Sequence, residues 1–359
     1  MTAPPASGCT SLRTIPVTPR TTWLLARLGS GWGELSDIPA DEAGPLLAEL
    51  SAPLAGLSPD RAVAALEASG TPDTFARRTA AGGLATAAAD AAARQAGMEL
   101  AGWLGERVRL PVRRRALPLY ANINRAMTAR TPEAAAAVAA RALAAGFRTV
   151  KCAPFDGLSG PGRVERGLEI ALAVRETIGE GRELLLDAHH LLSPEEIVAH
   201  ASVFTSLRLG WLEDAAPLGD AAGLRRVRDA VGAPIAGGEF AATAAEVLPA
   251  LRSGALDVLM PDIKHAGGPL QVLRLAALAR EHGVAVSLHN PSGPVATAAS
   301  AHVSALLPDG SPPLETMFGE IAWRASAVAP AEPIAAGTYT LSAEAGIGLT
   351  PLDEEERQP

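Results

Sequence analysis

Residues 183–192 read ELLLDAHHLL: an apolar run ends abruptly in Asp187, followed by Ala188, His189 and His190. The chain has 7 histidines, and two of them stand here beside a carboxylate at the end of a predicted buried strand. Runs of the same kind recur from Ala116 onward: ALPLYANIN, RTVKCAPF, LGWLEDAAP, APIAGGEF, DVLMPDIK, VAVSLHNP and PLETMFG. Amphipathic segments such as PEEIVAHASVFTSL and LQVLRLAALAREHG lie between them. Eight strand-like runs alternating with helices over about 205 residues predict an α/β fold of the (β/α)8 type, a TIM-like barrel. The runs lack strict apolar–polar alternation, as expected of a parallel sheet buried on both faces.

The polar residues at successive strand ends are Asp187, Glu213, Glu239, Asp262, His289 and Glu315, separated by 23 to 27 residues. No sequence repeat accompanies this interval, so it marks one barrel and not an array of units. In such a barrel the chemistry sits at the C-terminal ends of the strands, where these side chains share one mouth. Asp187, Glu213 and Glu239 come from three consecutive strands and would repel one another unless a cation neutralises them. An all-oxygen, carboxylate-rich site selects a hard divalent ion, Mg²⁺ when octahedral. Asp262 and His289 form a second pair, in which a carboxylate on one imidazole nitrogen fixes the tautomer and raises the basicity of the other. Across the mouth, Lys151 ends the second strand and His189 the third. Period-two geometry turns Asp187 and His189 to one face and sends His190 toward the helices. The chemistry that fits is abstraction of a proton alpha to a carboxylate, with the ion and Lys151 stabilising the developing charge.

Other residues have several possible uses. Asn122, Asn124 and Arg125 end the first strand, where they bind substrate hydroxyls or a carboxylate, or organise a turn. Lys264, two residues past Asp262, has the parity to face inward and could act as a base or contact substrate. Cys152 should point away from the mouth as a core thiol.

Ahead of the barrel, RTTWLLARLGSGWGELS reads as a hairpin or small meander, with strands over 11–17 and 21–27 joined by a very short turn. Residues 40–105 are helical in pattern, so 1–115 is expected to be an α+β domain of its own. The barrel would occupy 116–323, and the segment 324–359 would return to cover the N-terminal domain. With 48% hydrophobic residues and a formal net charge of −8, the chain has a large core and no basic face for nucleic acid. The longest basic run, RVRLPVRRR at 107–115, reads as a solvated connector. Cys9 and Cys152 are too few for a disulfide framework or a thiolate metal site. The first ten residues have neither a positive nor an apolar signal region, and the alanine-rich stretches are too short to span a membrane. A cytoplasmic protein without membrane partners is expected.

LLLDAHH, WLEDAAP, IAGGEF, LMPDIKHAGG and SLHNPSGPVATAAS together, in this order, resemble the enolase superfamily in its mandelate racemase-type subgroup. The N-terminal region resembles that family's capping domain. The resemblance implies that Asp187, Glu213 and Glu239 are Mg²⁺ ligands and that Asp262 and His289 are an Asp–His dyad. It implies that Glu315 lies beside the substrate carboxylate, with Glu320 a second candidate for that role, and that His265 packs beside the dyad. The family's racemases carry Lys-x-Lys on the second strand, whereas here Lys151 is followed at the second position by Ala153. Asp187-x-His189 supplies a group on that face instead, an arrangement similar to galactonate dehydratase-like acid-sugar dehydratases. In the family the segment shortened here to TPR usually forms a loop over the substrate. The expectation is therefore a Mg²⁺-dependent lyase that removes an alpha proton from a small hydroxy-carboxylate, eliminates water and yields a 2-keto acid. It is a homo-oligomer by the same resemblance. A racemase or epimerase, and a barrel kept for binding alone, are the alternatives.

Overall fold

The computed structural model describes residues 10–356. The expected lack of a secretory signal rests on residues 1–10, and of these all but Thr10, Cys9 included, lie outside the described residues.

Three antiparallel strands open the chain: β1 (Thr10–Thr18), β2 (Thr21–Leu28) and β3 (Gly31–Glu34). β1 and β2 meet through Pro19 and Arg20 alone, with Thr18 opposite Thr21. Four helices follow, α1 (Ala40–Ser51), α2 (Pro59–Ala68), α3 (Phe75–Gln95) and α4 (Leu100–Val108). The small residues of GSGWGE and TAAGG have a steric purpose. A Cβ on Gly33 would stand 1.9 Å from the Gly83 carbonyl oxygen, and one on Gly31 2.1 Å from that of Ala87. β3 and α3 therefore lie backbone against backbone, closer than any side chain allows. On another side of α3, a Cβ on Gly82 would meet the Lys264 carbonyl at 1.9 Å. The same helix thus presses directly on the barrel loop that carries Asp262.

The barrel alternates strands and helices: β4 (Ala116–Asn122), α5 (Pro132–Ala144), β5 (Thr149–Cys152), α6 (Arg163–Ile178), β6 (Glu183–Asp187), then α7 (Pro194–Ala199) and α8 (Ala201–Ser206). It continues with β7 (Leu209–Glu213), α9 (Ala221–Val231), β8 (Ile235–Gly237), α10 (Ala244–Ser253), β9 (Val258–Leu259), α11 (Pro269–Glu281), β10 (Ala285–Val286), α12 (Pro294–Ser304) and β11 (Leu314–Met317). Each of the eight runs read from the sequence is a strand. They pair in parallel in chain order from β4 to β10, and β11 pairs with β4. Between β10 and β11 the ring is bridged by side chains: Ser287 Oγ donates to the Pro313 carbonyl (2.8 Å) and Asn290 Nδ2 to that of Glu315 (3.0 Å). Local signals set the helix starts, as at α7 and α10, where Ser193 with Glu196 and Thr243 with Glu246 form capping boxes. The barrel interior is filled by Tyr120, Leu185, Trp211, Ala236, Val258 and Met260, so it is a packed core and not a pore.

Four short strands end the described chain: β12 (Val328–Ala329), β13 (Ile334–Ala335), β14 (Thr338–Thr340) and β15 (Thr350–Pro351). β14 runs antiparallel to the beginning of β4. Beyond it the chain reaches the N-terminal helices, where the Leu100 amide donates to the Gly346 carbonyl at 2.8 Å. Asp90, in the middle of α3 and wholly buried, accepts from the amides of Trp32 (2.8 Å) and Ile347 (2.7 Å) and from Arg94 Nε (3.0 Å). Burial pushes its pKa up against the opposing pull of Arg94 and these amides. No helix among the described residues is long and apolar enough to cross a membrane.

Gly33→Ala should lower the unfolding free energy by about 3 kcal/mol, since neither backbone can yield. Gly44→Ala, in α1 with only Leu12 Cδ2 at 3.9 Å, should raise it by up to about 1 kcal/mol. Urea titration of the two variants checks both signs.

Candidate active site

The C-terminal ends of the barrel strands open into a cavity of about 400 Å³ that contains Lys151, His189 and His289 and is overhung by the Thr18–Thr21 turn. At its floor the Lys151 ammonium lies 2.8 Å from Glu213 Oε1, 2.8 Å from Glu315 Oε1 and 3.2 Å from Asp187 Oδ2. All four side chains are at most 1% exposed. Burial alone would pull the lysine pKa down, but Glu213 and Glu315 outweigh it and hold the ammonium well above its usual range. Trp211 Nε1, from the interior cluster, donates to Glu213 Oε2 (3.0 Å). Glu315 also accepts from Asn122 Nδ2 (2.8 Å) and the Asn290 amide (2.7 Å).

Two histidines face this floor with matching environments. His289 Nδ1 is 2.9 Å from Asp262 Oδ2, and its Nε2 is 2.7 Å from Glu239 Oε2. His189 Nδ1 is 2.7 Å from Asp156 Oδ1, and its Nε2 is 3.0 Å from Asp187 Oδ2. Burial disfavours the charged form of both, yet the paired carboxylates prevail: His289 stands well above the usual histidine range and His189 is pushed up to about 11.

The position of His189 matches expectation, but strand parity is not the cause. β6 ends at Asp187, and His189 and His190 both adopt left-handed backbone (φ 45° and 52°). Asp187 Oδ1 accepts the His189 amide (2.9 Å) and closes the turn that swings the imidazole into the mouth. His190, in the same turn, stays out of that cavity, on a side bordered by Ala245, Glu246 and Pro249 of α10. Its Nε2 lies 3.5 Å from Asp214 Oδ2, and it lines a separate opening with Glu239. Lys264 is also directed elsewhere: its ammonium contacts Asp37 (2.8 Å), Asp262 (3.3 Å) and the Ser292 hydroxyl, at the boundary with the N-terminal domain. Asn124 Oδ1 accepts the Ala153 amide (2.6 Å), organising the turn, while Arg125 reaches the cavity. His265 packs beside the dyad, with ring centroids 6.4 Å from His289, and Thr79 Oγ1 is 3.0 Å from its Nδ1. Cys152 is buried, and burial pushes its thiol up to about 12.

Asp187, Glu213 and Glu239 end adjacent strands or follow them closely, and all three are buried. Among the described residues no three His, Cys, Asp or Glu side chains gather around one point, because each carboxylate is turned onto its nearest cation or indole donor. Even so, Asp187 Oδ2, Asp214 Oδ2 and Glu239 Oε2 are buried without any aligned hydrogen bond. Their ion-pair contacts are close but poorly directed. Burial and the neighbouring charge of Asp187 push Glu213 well above the carboxylate range, and the same causes push Asp214 up to about 8. Buried, under-bonded, mutually repelling carboxylate oxygens are the donor set of a hard divalent cation. These residues fit one.

Sequence reasoning missed Asp156, Asp37 and Glu34. Asp156 and Asp37 lie in loops without periodicity, and a positive φ of 81° at Asp37 has no sequence signal. Glu34 is 1% exposed and accepts from the amides of Gly293 (2.8 Å) and Ala296 (3.0 Å) at the start of α12. Its signal was available: a carboxylate ending the GWGE strand. A larger cavity of about 520 Å³ lies between α1–α3 and α11. Its charged groups are surface pairs such as Arg77 with Glu49 (2.9 Å), with no buried cluster.

Residues 133–356 match the family described as enolase C-terminal domain-like. The chain is 31% identical over 242 residues to a D-gluconate dehydratase of Thermoproteus tenax, covering 66% of this chain and 47% of that one. It is 36% identical over 142 residues to a D-galactonate dehydratase family member of Streptomyces bingchenggensis, covering 39% and 34%. The matched part therefore spans about half the length, or less, of these curated relatives. In solved structures, a mandelate racemase/muconate lactonizing enzyme-like protein from Roseovarius superposes with TM-score 0.83 at 21% identity, covering 97% of this chain and 94% of that one. A member of the enolase superfamily from Salmonella Typhimurium gives 0.82 at 19% identity, covering 97% and 96%. By the match over residues 133–356, which is more than half of its length, this chain belongs to the enolase superfamily.

Proposed function

We propose that the protein abstracts the alpha proton of a sugar acid and eliminates the beta-hydroxyl as water, giving an enol that tautomerises to a 2-keto acid. The observation that carries this reading is the pair of carboxylate-held imidazoles, Asp262–His289 and Asp156–His189, on opposite sides of one cavity above Lys151. One imidazole, in its neutral form with Nε2 released from its strand-end carboxylate, takes the proton from the alpha carbon. The electron pair of that C–H bond becomes the new carbon–carbon double bond as the beta C–O bond breaks. The other imidazole gives its proton to the departing hydroxyl. In each pair the carboxylate on Nδ1 fixes the ring so that Nε2 does the transfer. The Lys151 ammonium stabilises negative charge growing on the substrate carboxylate, in a dry site where such an interaction is strong.

Asp187, Glu213 and Glu239 would hold Mg²⁺, with Asp187 Oδ2 and Glu239 Oε2 the under-bonded oxygens available to it. When bound, Mg²⁺ supplies further electrostatic stabilisation of the same developing charge. The D-gluconate and D-xylonate dehydratases among the relatives support the sugar-acid class. Groups on both faces of the substrate also suit racemisation or epimerisation, and the outcome of reaction in D₂O separates the readings.

A panel of aldonic and aldaric acids incubated with the Mg²⁺-loaded protein in D₂O should give a 2-keto product by NMR. His289→Asn and His189→Asn should each lower kcat by about 10³-fold, and chelation should abolish turnover until Mg²⁺ is restored. Alpha-deuteration without loss of water would replace this reading by the racemase one, and no reaction with any acid would remove both.

Asp156→Ala should lower kcat by roughly tenfold to a hundredfold with KM nearly unchanged, because the imidazole stays but its orientation is lost. Asp156→Asn, which keeps an acceptor oxygen, should recover part of the rate. A KM rise with unchanged kcat would show that Asp156 binds substrate and does not position His189.

A further inference from the structure

Three guanidinium groups line the rim of the same cavity: Arg20 from the β1–β2 turn, and Arg125 and Arg130 from the segment after β4. Most of the ion-paired arginines among the described residues close tightly on their carboxylates, as Arg115 does on Glu99 (2.6 Å), Arg324 on Glu332 (2.7 Å) and Arg77 on Glu49 (2.9 Å), with Arg113, 3.8 Å from Asp309, the exception away from the cavity. The rim arginines do not. Arg125 stays 3.7 Å from both Asp37 and Glu320, and Arg130 stays 3.5 Å from Asp156. These separations exceed those of charge-assisted hydrogen bonds.

The acids are each engaged elsewhere. Asp37 is taken by Lys264 at 2.8 Å, Asp156 by His189 at 2.7 Å, and Glu320 by the Thr21 hydroxyl. Arg20 has no ion-pair or side-chain hydrogen-bond partner among the described residues. Arg125 and Arg130 are 30% and 22% exposed, so their stems are packed; the Arg125 fork remains open to the cavity, and the Arg130 fork makes only long contacts, to the Ala153 carbonyl at 3.4 Å and to Asp156 at 3.5 Å. A planar fork with unfilled donors matches a carboxylate in two places at once.

We propose that the substrate is a polyhydroxy dicarboxylate whose second carboxylate is held at the rim by Arg125 and Arg130, with Arg20 closing over it. This rests on the proton-abstraction reading above, which places the first carboxylate over Lys151. A monocarboxylic sugar acid would set only a neutral hydroxyl against the rim. A cavity of about 400 Å³ has room for a six-carbon chain reaching both ends.

The test compares D-glucarate with D-gluconate, and D-galactarate with D-galactonate, on the Mg²⁺-loaded protein. Dicarboxylates should be favoured by about a hundredfold in kcat/KM, mostly through KM. Arg125→Gln and Arg130→Gln should each cut that ratio at least tenfold, and Arg125→Lys should fall between. Equal or better turnover of the monocarboxylates overturns the proposal while leaving the dehydratase reading intact. So does a loss shared equally by both classes in the folded Gln variants. Should no acid lose water or exchange its proton, the dehydratase reading fails, and calorimetry of the same four acids decides the rim site alone. Tighter dicarboxylate binding that weakens in the Gln variants supports it, and indifference overturns it.

Discussion

The rest of the site depends on one buried ammonium facing too many buried carboxylates. Lys151 carries a single positive charge against Asp187, Glu213 and Glu315, all removed from water. Such a cluster is tolerable only if further positive charge is brought to it. His189 and His289 do part of that, each turning Nε2 onto a strand-end carboxylate. The parallel ladder enforces the arrangement: β5 sets Lys151 level with Leu185, and β6 sets Asp187 level with Glu213. Below, Tyr120 and Trp211 stack edge to face at 5.6 Å and fill the barrel. The charges therefore sit on an apolar floor, where Coulomb interactions are weakly screened. An arrangement this unfavourable for folding alone supports the proposal that a cation is held here.

The N-terminal domain is a structural partner of that site as well as a cover. Glu34 holds the first amides of α12, just beyond the segment carrying His289. Asp37 engages Lys264, which in turn touches Asp262. Gly82 lets α3 lie against the carbonyl of Lys264 itself. Three separate contacts from one domain thus bear on the Asp262–His289 pair, and the position of the dyad is set by the domain interface as much as by its own strands.

What could be read from the sequence follows from where order is periodic. The eight strands and their terminal residues were legible because a parallel barrel repeats one pattern and places chemistry at one end of it. Helix starts at Ser193 and Thr243 announce themselves through capping residues. His189 was legible by position but not by reason, since a left-handed turn and not an extended strand brings it inward. Asp156 and Asp37 were not legible at all. Each acts across a long sequence separation from a loop, and nothing in KCAPFDG or LSDIP distinguishes a carboxylate that holds an imidazole from one that faces water. Strand parity pointed Lys264 inward, but β9 has already ended and the ammonium is captured by Asp37 and Asp262 at the boundary with the N-terminal domain.

The same contrast divides chemistry from specificity. His289 is 9% exposed and lies on the strand side of the mouth, while His189, at 32%, belongs to the turn that faces Asp156 and Arg130. Moving outward from Lys151, burial falls and the backbone leaves the strands, and at the rim Arg125 and Arg130 stand 3.7 Å and 3.5 Å from the acids beside them. Fixed donors in a dry place suit proton transfer, and of the two imidazoles proposed for it His289 follows a strand and was readable, whereas His189 and its Asp156 partner lie in a turn and a loop. Recognition of the far end of a substrate needs groups still open to solvent, and the rim arginines proposed for it lie on loops and on a two-residue turn. The barrel thus explains why Asp187, Glu213, Glu239, Asp262 and His289 could be picked out from the sequence, while the arginines proposed to choose among acids lie where no periodicity marks them.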